Sequence, residues 1–152
     1  MGQLPNTEIY VDISHFNRAR EIEHTKIFRF SSALFFLNRD TFKESFFRQT
    51  LKTSYNVILK EISKNQITRR PIKCIIIDCS SMSYIDSSGS ETILEVINIL
   101  RDLNIYCYLA ACTATVMGMF ERTAFLDDLP RCMSGIFPTI HDAVIFFQQN
   151  SQ

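Results

Sequence analysis

Apolar residues in the second half of the chain form two kinds of pattern, short unbroken runs and helical stripes. Residues 72–78, "IKCIIID", and 105–111, "IYCYLAA", are continuous apolar runs of strand length. Such runs are typical of strands that are buried on both faces of a sheet. The segment between them, "SSGSETILEVINILRDLN", places Ile93, Ile97 and Leu100 on one helical stripe. The pattern predicts two central strands joined by a helix.

The same alternation continues to the end of the chain. "TATVMGMFERTAF" reads as a further helix, with Val116, Met119 and Phe120 facing the core. "GIFPTI" offers a short final strand, and "TIHDAVIFFQQ" a last helix. Thr139 suits the cap of that helix, and Asp142 lies near its positive end.

The first half of the chain has a weaker pattern. Residues 7–13 alternate loosely and predict a first strand, and 26–37 predict a second strand that enters a turn. Asn38 can cap a helix through "RDTFKESFFRQTLK", whose Phe42, Phe46 and Phe47 share one face. Residues 48–70 are polar and weakly patterned, and we interpret them as a variable loop or an extension of that helix.

Strands that alternate with helices are most simply joined as parallel neighbours with helical crossovers. The sequence therefore predicts a small α/β fold with a mixed, mostly parallel sheet and about four flanking helices. Since the chain has 152 residues, we expect one domain over 1–152.

Charge and composition exclude several classes of function. Sixteen basic residues balance sixteen acidic ones, whereas a nucleic-acid-binding protein normally has a basic surplus. No segment approaches the ~18 uninterrupted apolar residues of a membrane span, so we expect the isolated chain to be soluble. The five cysteines form no CxxC pair, and the histidines pair with none of them at ligand spacing, so no metal site or cofactor is predicted. Four cysteines fall in or beside strand-like runs and are expected to be buried and reduced: Cys74, Cys79, Cys107 and Cys112.

An enzyme is not expected. Asp78 and Asp86 are conceivable as acid and base, and Cys79 or Cys112 as a nucleophile. However, no histidine lies near them in the sequence to activate a nucleophile, and no GxxxxGK[ST] motif is present.

The stretch "MSYIDSSGSETI", residues 82–93, has two interpretations. Ser88 stands three residues before Glu91, which is the spacing of a capping box at the start of a helix. The same helix start could instead bind an anion or a partner. The binding residues would be Asp86, Ser87, Ser88 and Gly89, joined by Thr113 and Thr115 from the next helix start. A phosphate on Ser88 would add about 1.5 to 2 negative charges.

Adjacent phenylalanines raise a further question of exposure. Phe35 and Phe36 form one pair, and Phe46 and Phe47 another. Burial is the usual role of such clusters. An outward-facing member would instead contribute to a surface that binds a partner.

The stretch "CIIIDCSSMSYIDSSGSETI" resembles the signature of STAS domains. These domains occur in bacterial anti-sigma-factor antagonists and in the cytosolic tails of SulP-type anion transporters. In the antagonists the second serine of "DSSG" is the regulatory serine, which corresponds to Ser88. Three segments in the same order favour the transporter branch: "GQLPNTEIY", "KIFRFSSALFFLNRDTFKESF" and "FPTIHDAV".

The resemblance implies a non-catalytic, carboxy-terminal regulatory and interaction domain on the cytosolic face of a membrane. Residues 1–8 would be the linker from a transmembrane domain that this chain lacks. The implied partners are that transmembrane domain, a second STAS domain in a dimer and cytosolic regulatory proteins, with small anions or a nucleotide as weaker ligands. The alternative is a free-standing phosphoswitch that uses Ser88. Ser90 and Glu91 depart from the apolar residues that usually follow "DSSG" in the antagonists.

Overall fold

The structure, a computed structural model, describes residues 1–151 and contains six strands and six helices in that range. In chain order the elements are β1 (Gly2–Gln3), β2 (Tyr10–Val11), β3 (Thr25–Arg29), α1 (Arg39–Leu51), α2 (Tyr55–Ser63), β4 (Cys74–Asp78), α3 (Ser87–Asp102), β5 (Tyr106–Ala110), α4 (Ala114–Arg122), α5 (Phe125–Asp128), β6 (Ser134–Phe137) and α6 (Ile140–Asn150).

Four strands form a central sheet in the order β3-β4-β5-β6, and every neighbouring pair is parallel. The strands β1 and β2 are antiparallel, but they form a separate two-stranded sheet. The α/β class is therefore confirmed, with its antiparallel part outside the central sheet. The first predicted strand, 7–13, contains only the two-residue strand β2.

Both faces of the central sheet are covered by apolar side chains. All five residues of β4 are buried, as its unbroken apolar run predicts. On the front face, Ile75 and Ile77 belong to a large cluster with side chains of α1 to α5. On the back face, Ile76 belongs to a smaller cluster with α6, against which Met1, Tyr10 and Ile22 also pack. The helix α6 and the amino-terminal segment thus pack against the back face.

The polar stretch 48–70 contains the end of α1 and a separate helix, α2. Lys52 ends α1 in the left-handed conformation with a φ of 57°. Ser54 then caps α2, since its Oγ accepts a hydrogen bond from the amide of Val57. A left-handed residue and a new cap are a common way to end one helix and start another.

The helix α1 begins after Asn38 as predicted, but Asn38 does not cap it through a side-chain hydrogen bond. Asn38 precedes the helix, yet its side chain makes no cap bond. Instead, its Oδ1 accepts from the amide of Phe35 at 2.9 Å and its Nδ2 donates to the carbonyl of Ala33 at 2.7 Å. Asn38 therefore organises the loop before α1. The three phenylalanines predicted to face the core are fully buried: Phe42, Phe46 and Phe47.

The last predicted elements are also present. Thr139 caps α6, and its Oγ1 accepts from the amide of Asp142 at 3.1 Å. Within residues 1–151, none of the helices combines the length and the apolar character needed to cross a bilayer.

Candidate functional site

The candidate site lies at the amino end of α3, which follows the carboxyl end of β4. Asp86, not Ser88, is the cap of this helix: its Oδ1 accepts from the amide of Gly89 at 2.7 Å. The predicted Ser88–Glu91 capping box is therefore wrong by two residues. Asp86 is extended, with a φ of −100°, and helical geometry begins at Ser87. Ser88 accordingly lies inside the first turn, and its carbonyl accepts from the hydroxyl of Thr92.

The loop between β3 and α1 packs tightly against this helix start. The second carboxylate oxygen of Asp86 accepts from the amide of Phe36 at 3.1 Å. The amide of Leu34 donates to the carbonyl of Tyr84 at 2.9 Å. A Cβ at Gly89 would lie 2.5 Å from the carbonyl oxygen of Leu34. Glycine is therefore required here by close backbone approach.

The predicted site residues differ in exposure. Ser87 is exposed, Ser88 is partly buried and Gly89 is buried. Ser87 lines a cavity of about 120 Å³ with side chains of the α5 region, among them Phe125 and Asp128. The structure thus leaves Ser87 and part of Ser88 accessible while the rest of the turn is packed.

The electrostatics of this helix start oppose the binding of an additional anion. The negatively charged side chain of Asp86 already accepts from the first-turn amide of Gly89. Glu91 and Asp128 add two carboxylates to the cavity beside Ser87. A small anion would gain from the helix dipole but would face three nearby carboxylates.

The other two predicted binding residues lie at the next helix start. Thr113 caps α4, since its Oγ1 accepts from the amide of Val116 at 3.3 Å, and Thr115 is exposed. Both helix starts follow the carboxyl ends of neighbouring strands, β4 and β5. However, the cavity that Ser87 lines includes neither Thr113 nor Thr115.

Three exposed apolar side chains surround the amino end of α3, and we call them the apolar patch. Phe36 is 58% exposed, Leu37 80% and Tyr84 48%. The hydrogen bonds from Phe36 to Asp86 and from Leu34 to Tyr84 hold their two loops together. Of the paired phenylalanines, Phe46 and Phe47 are both buried, so burial is confirmed for that pair and Phe36 is the outward-facing exception.

An ion pair that the sequence pattern did not predict lies at the same edge of the sheet. Asp78 is fully buried, and its Oδ2 accepts from the Nε of Arg29 at 2.7 Å. The Oδ1 of Asp78 accepts from the amide of Ser80 at 3.0 Å. This pair borders a cavity of about 270 Å³, where the hydroxyl of Tyr10 lies 3.1 Å from the Nδ1 of His141. The position of Asp78 at the end of a fully buried apolar strand could have indicated a basic partner, because a buried charge is costly unless it is paired.

Potential metal ligands do not gather in the described part of the chain. No group of three or more histidine, cysteine, aspartate or glutamate side chains within residues 1–151 could hold a metal ion.

These features define a small α/β domain with a parallel central sheet. Its candidate site is a surface around the start of α3, where accessible serines lie beside exposed apolar side chains. A family model described as "STAS domain" matches residues 17–143, so the chain belongs to the STAS domain family.

Comparison with known proteins relates the chain to transporters. It is 23% identical over 171 residues to the "Sulfate transporter" of Equus caballus, covering 99% of this chain and 23% of the relative. The solved structure of SLC26A9 superposes with a TM-score of 0.88 at 25% identity, covering 99% of this chain and 24% of the other. The chain thus spans about a quarter of the length of these proteins.

The similarity to one bacterial protein is a similarity of fold. A Thermotoga maritima structure assigned as an anti-sigma factor antagonist gives a TM-score of 0.58 at 20% identity, covering 84% of this chain and 90% of that one. Both branches of the resemblance named from the sequence are therefore represented among the structural neighbours.

Proposed function

We propose that the chain is the cytosolic, carboxy-terminal regulatory and interaction domain of a SulP-type anion transporter. The observation that carries this proposal is the match along 99% of the chain to about a quarter of a sulfate transporter. The SLC26A9 structure supports the same placement, since it covers the chain to a similar extent. In this role the domain carries out no chemistry, and it acts by packing against other protein surfaces.

The apolar patch is the surface on which the parent's own transmembrane domain would dock. Phe36, Leu37 and Tyr84 are large apolar side chains on two loops that hydrogen bonds hold rigid. Exposed apolar patches of this kind on a folded domain commonly mark interaction sites. The transmembrane domain is the chosen occupant because the relatives extend far beyond the region that this chain covers.

Anion uptake by the full-length parent protein tests this docking role. Replacing Phe36, Leu37 and Tyr84 together by serine removes the apolar contact and leaves the core intact. Since loss of a central contact commonly costs more than 1 kcal/mol, we expect uptake per surface molecule to fall about fivefold or more. Labelled sulfate and chloride uptake, normalised to surface biotinylation, would measure the effect.

Val57 and Leu59 on α2 provide the matched control. They are 45% and 39% exposed, so their replacement by serine removes exposed apolar side chains at another place on the surface. Equal uptake by the patch and control variants would refute the docking role. A full-length coding sequence with no multi-span region would refute the transporter assignment itself.

A second candidate function is a phosphoswitch at Ser88. The observation that favours it is position: Ser88 is partly accessible in the first turn of α3, beside the exposed Ser87 and the apolar patch. A phosphate there would lie near Glu91 and the capping carboxylate of Asp86, so like-charge repulsion would disturb the helix start. In this function the domain would release a partner when it is phosphorylated.

Intact-mass spectrometry of natively expressed protein tests the phosphoswitch. A stoichiometric phosphate on Ser88, together with partner release by Ser88→Asp and partner retention by Ser88→Ala, would support it. Unmodified Ser88 under every condition in which the partner is released would exclude it.

A further inference from the structure

Two cysteines lie together where neighbouring strands end. Asp78 and Ala110 are paired residues at the ends of β4 and β5. The pairing continues one residue further, because the amide of Cys79 donates to the carbonyl of Ala110 at 2.9 Å. Ala111 is left-handed, with a φ of 55°, and this turn precedes Cys112. Cys79 and Cys112 then pack against the same front cluster.

We propose that Cys79 and Cys112 form an oxidation site that closes to an intramolecular disulfide when the domain meets a hydroperoxide. Asp78 and Ala110 are the last paired residues of strands about 4.8 Å apart, and Cys79 and Cys112 follow them by one and two residues. A disulfide commonly joins Cα atoms about 5.5 to 6 Å apart, so closure requires the turn at Ala111 to bring Cys112 to this distance from Cys79. This site is independent of the proposed docking role.

The two thiols have different roles. Cys112 is partly exposed, whereas Cys79 is fully buried. The Cys79 thiol donates to the carbonyl of Ile77 at 3.7 Å, and its interaction with the neighbouring Cys112 thiol lowers the pKa of Cys112 from its ordinary value. The same interaction, with burial, raises the pKa of Cys79. Cys112 is therefore the thiolate that meets the oxidant, and Cys79 is the resolving thiol.

The reaction has two balanced steps. The Cys112 thiolate attacks one oxygen of the peroxide, so that an S–O bond forms, the O–O bond breaks and the leaving hydroxide takes up the thiol proton as water. The sulfur of Cys79 then attacks the sulfur of Cys112. The S–S bond forms, the S–O bond breaks, and hydroxide leaves with the Cys79 proton as a second water. Two thiols lose two electrons, and the peroxide gains them.

The other two buried cysteines, Cys74 and Cys107, do not form a second pair with each other. Cys74 packs against the back cluster and Cys107 against the front cluster, so the sheet separates them. Burial raises the pKa of both thiols. Cys132 is exposed and lies after α5.

Peroxide treatment of the folded domain tests the site. The experiment uses Cys132→Ser as background, so that the exposed thiol cannot join two molecules. We expect the oxidised protein to become lighter by two hydrogen atoms and to lose two free thiols. A thiol reductant would reverse both changes. In the reduced protein, Cys112 should react with iodoacetamide about tenfold or more faster than Cys107.

Tryptic digestion alone does not identify the bonded cysteines, because peptide 74–101 contains both Cys74 and Cys79 and peptide 102–122 contains both Cys107 and Cys112. Variants that each lack one cysteine therefore locate the bond. The link between these peptides should persist in Cys74→Ala and in Cys107→Ala. It should disappear in Cys79→Ala and in Cys112→Ala, with circular dichroism showing that each variant is folded. A link that survives in either of the last two variants, or over-oxidation of Cys112 without any link, would overturn the proposal.

Discussion

At the residue scale, Gly89 fixes how closely α3 approaches the rest of the domain. A Cβ at this position would meet the carbonyl oxygen of Leu34 at 2.5 Å, and a backbone atom cannot rotate away. We therefore expect Gly89→Ala to lower the free energy of unfolding by about 1–3 kcal/mol, as overpacking does elsewhere. Urea denaturation followed by circular dichroism would measure the change.

Gly118 is the matched control within the same domain. It lies inside α4, where an added Cβ meets only the tip of Arg122 at 3.9 Å. Gly118→Ala should raise the free energy of unfolding by about 0.5–1 kcal/mol, because alanine favours the helix. Equal effects at the two glycines would show that helix propensity, not close packing, determines the result.

The start of α3 could be located from the sequence, but its capping residue could not. The segment was correctly identified, but the cap was assigned to Ser88, whereas Asp86 provides it. Both side chains are good caps, so local preference could not choose between them. The choice depends on Phe36, whose amide bonds to Asp86 from 50 residues away in the sequence. A contact between residues so far apart in the sequence leaves no trace in the residues around the helix start.

At the element scale, α2 is joined to the segment that follows it through Glu61. The Oε1 of Glu61 accepts from the guanidinium of Arg70 at 2.7 Å, and both side chains are largely buried. This hydrogen bond lowers the pKa of Glu61 below its ordinary value of 4.5. The stabilisation is therefore complete above that value and is lost as the pH falls through the lower folded-state pKa.

We predict that Glu61→Gln weakens this dependence on pH. At about pH 7 the variant should lose about 1.5–3 kcal/mol of stability, the usual contribution of a hydrogen bond to a charged group. At about pH 3 the difference should shrink, because Glu61 is then increasingly protonated in the wild-type protein. Urea denaturation at both pH values would measure this. Glu121→Gln, on the exposed face of α4, is the control. A constant difference at both pH values would contradict the prediction.

Helices and strands could be predicted where the hydrophobic pattern of the sequence was continuous. The strand β4 and the helix α3 follow directly from an apolar run and a helical stripe. The division between α1 and α2 was not predicted, because it depends on the left-handed Lys52, a residue with no special preference for that conformation. The short β2 was overestimated, since loose alternation does not show where pairing ends.

At the scale of the whole molecule, the back face of the sheet depends on few side chains. Phe147 is 5% exposed and belongs to the back cluster, whereas its neighbour Phe146 is 45% exposed. Phe147→Ala should cost about 3–5 kcal/mol because it leaves a cavity where only one helix covers the sheet.

Phe146→Ala is the matched control for that substitution. It removes contacts with Tyr108 and Phe137 but opens no buried space, so we expect a loss of about 1 kcal/mol. Guanidinium denaturation would compare the two variants. Equal losses would show that the back cluster is not the main source of stability on that face.

The overall class could be predicted because parallel strands and crossovers follow from the order of elements. The side chains that meet at the carboxyl edge of the sheet could not be predicted. The pair Arg29 and Asp78 joins β3 to β4, and Cys79 and Cys112 follow the ends of the neighbouring strands β4 and β5. Both depend on which strands are neighbours, which the order of elements leaves open.

The amino-terminal segment lies partly outside the family match, yet it completes the back cluster. Its Tyr10 packs there and contacts His141 at the start of α6. Tension on residues 1–10 would therefore reach α6 and the sheet through the side chains of Met1 and Tyr10, which both pack against the back cluster. The amino group of Met1 also donates to the carbonyl of Ile27 in β3 at 3.2 Å, so force on this segment would be passed to an edge strand of the central sheet as well.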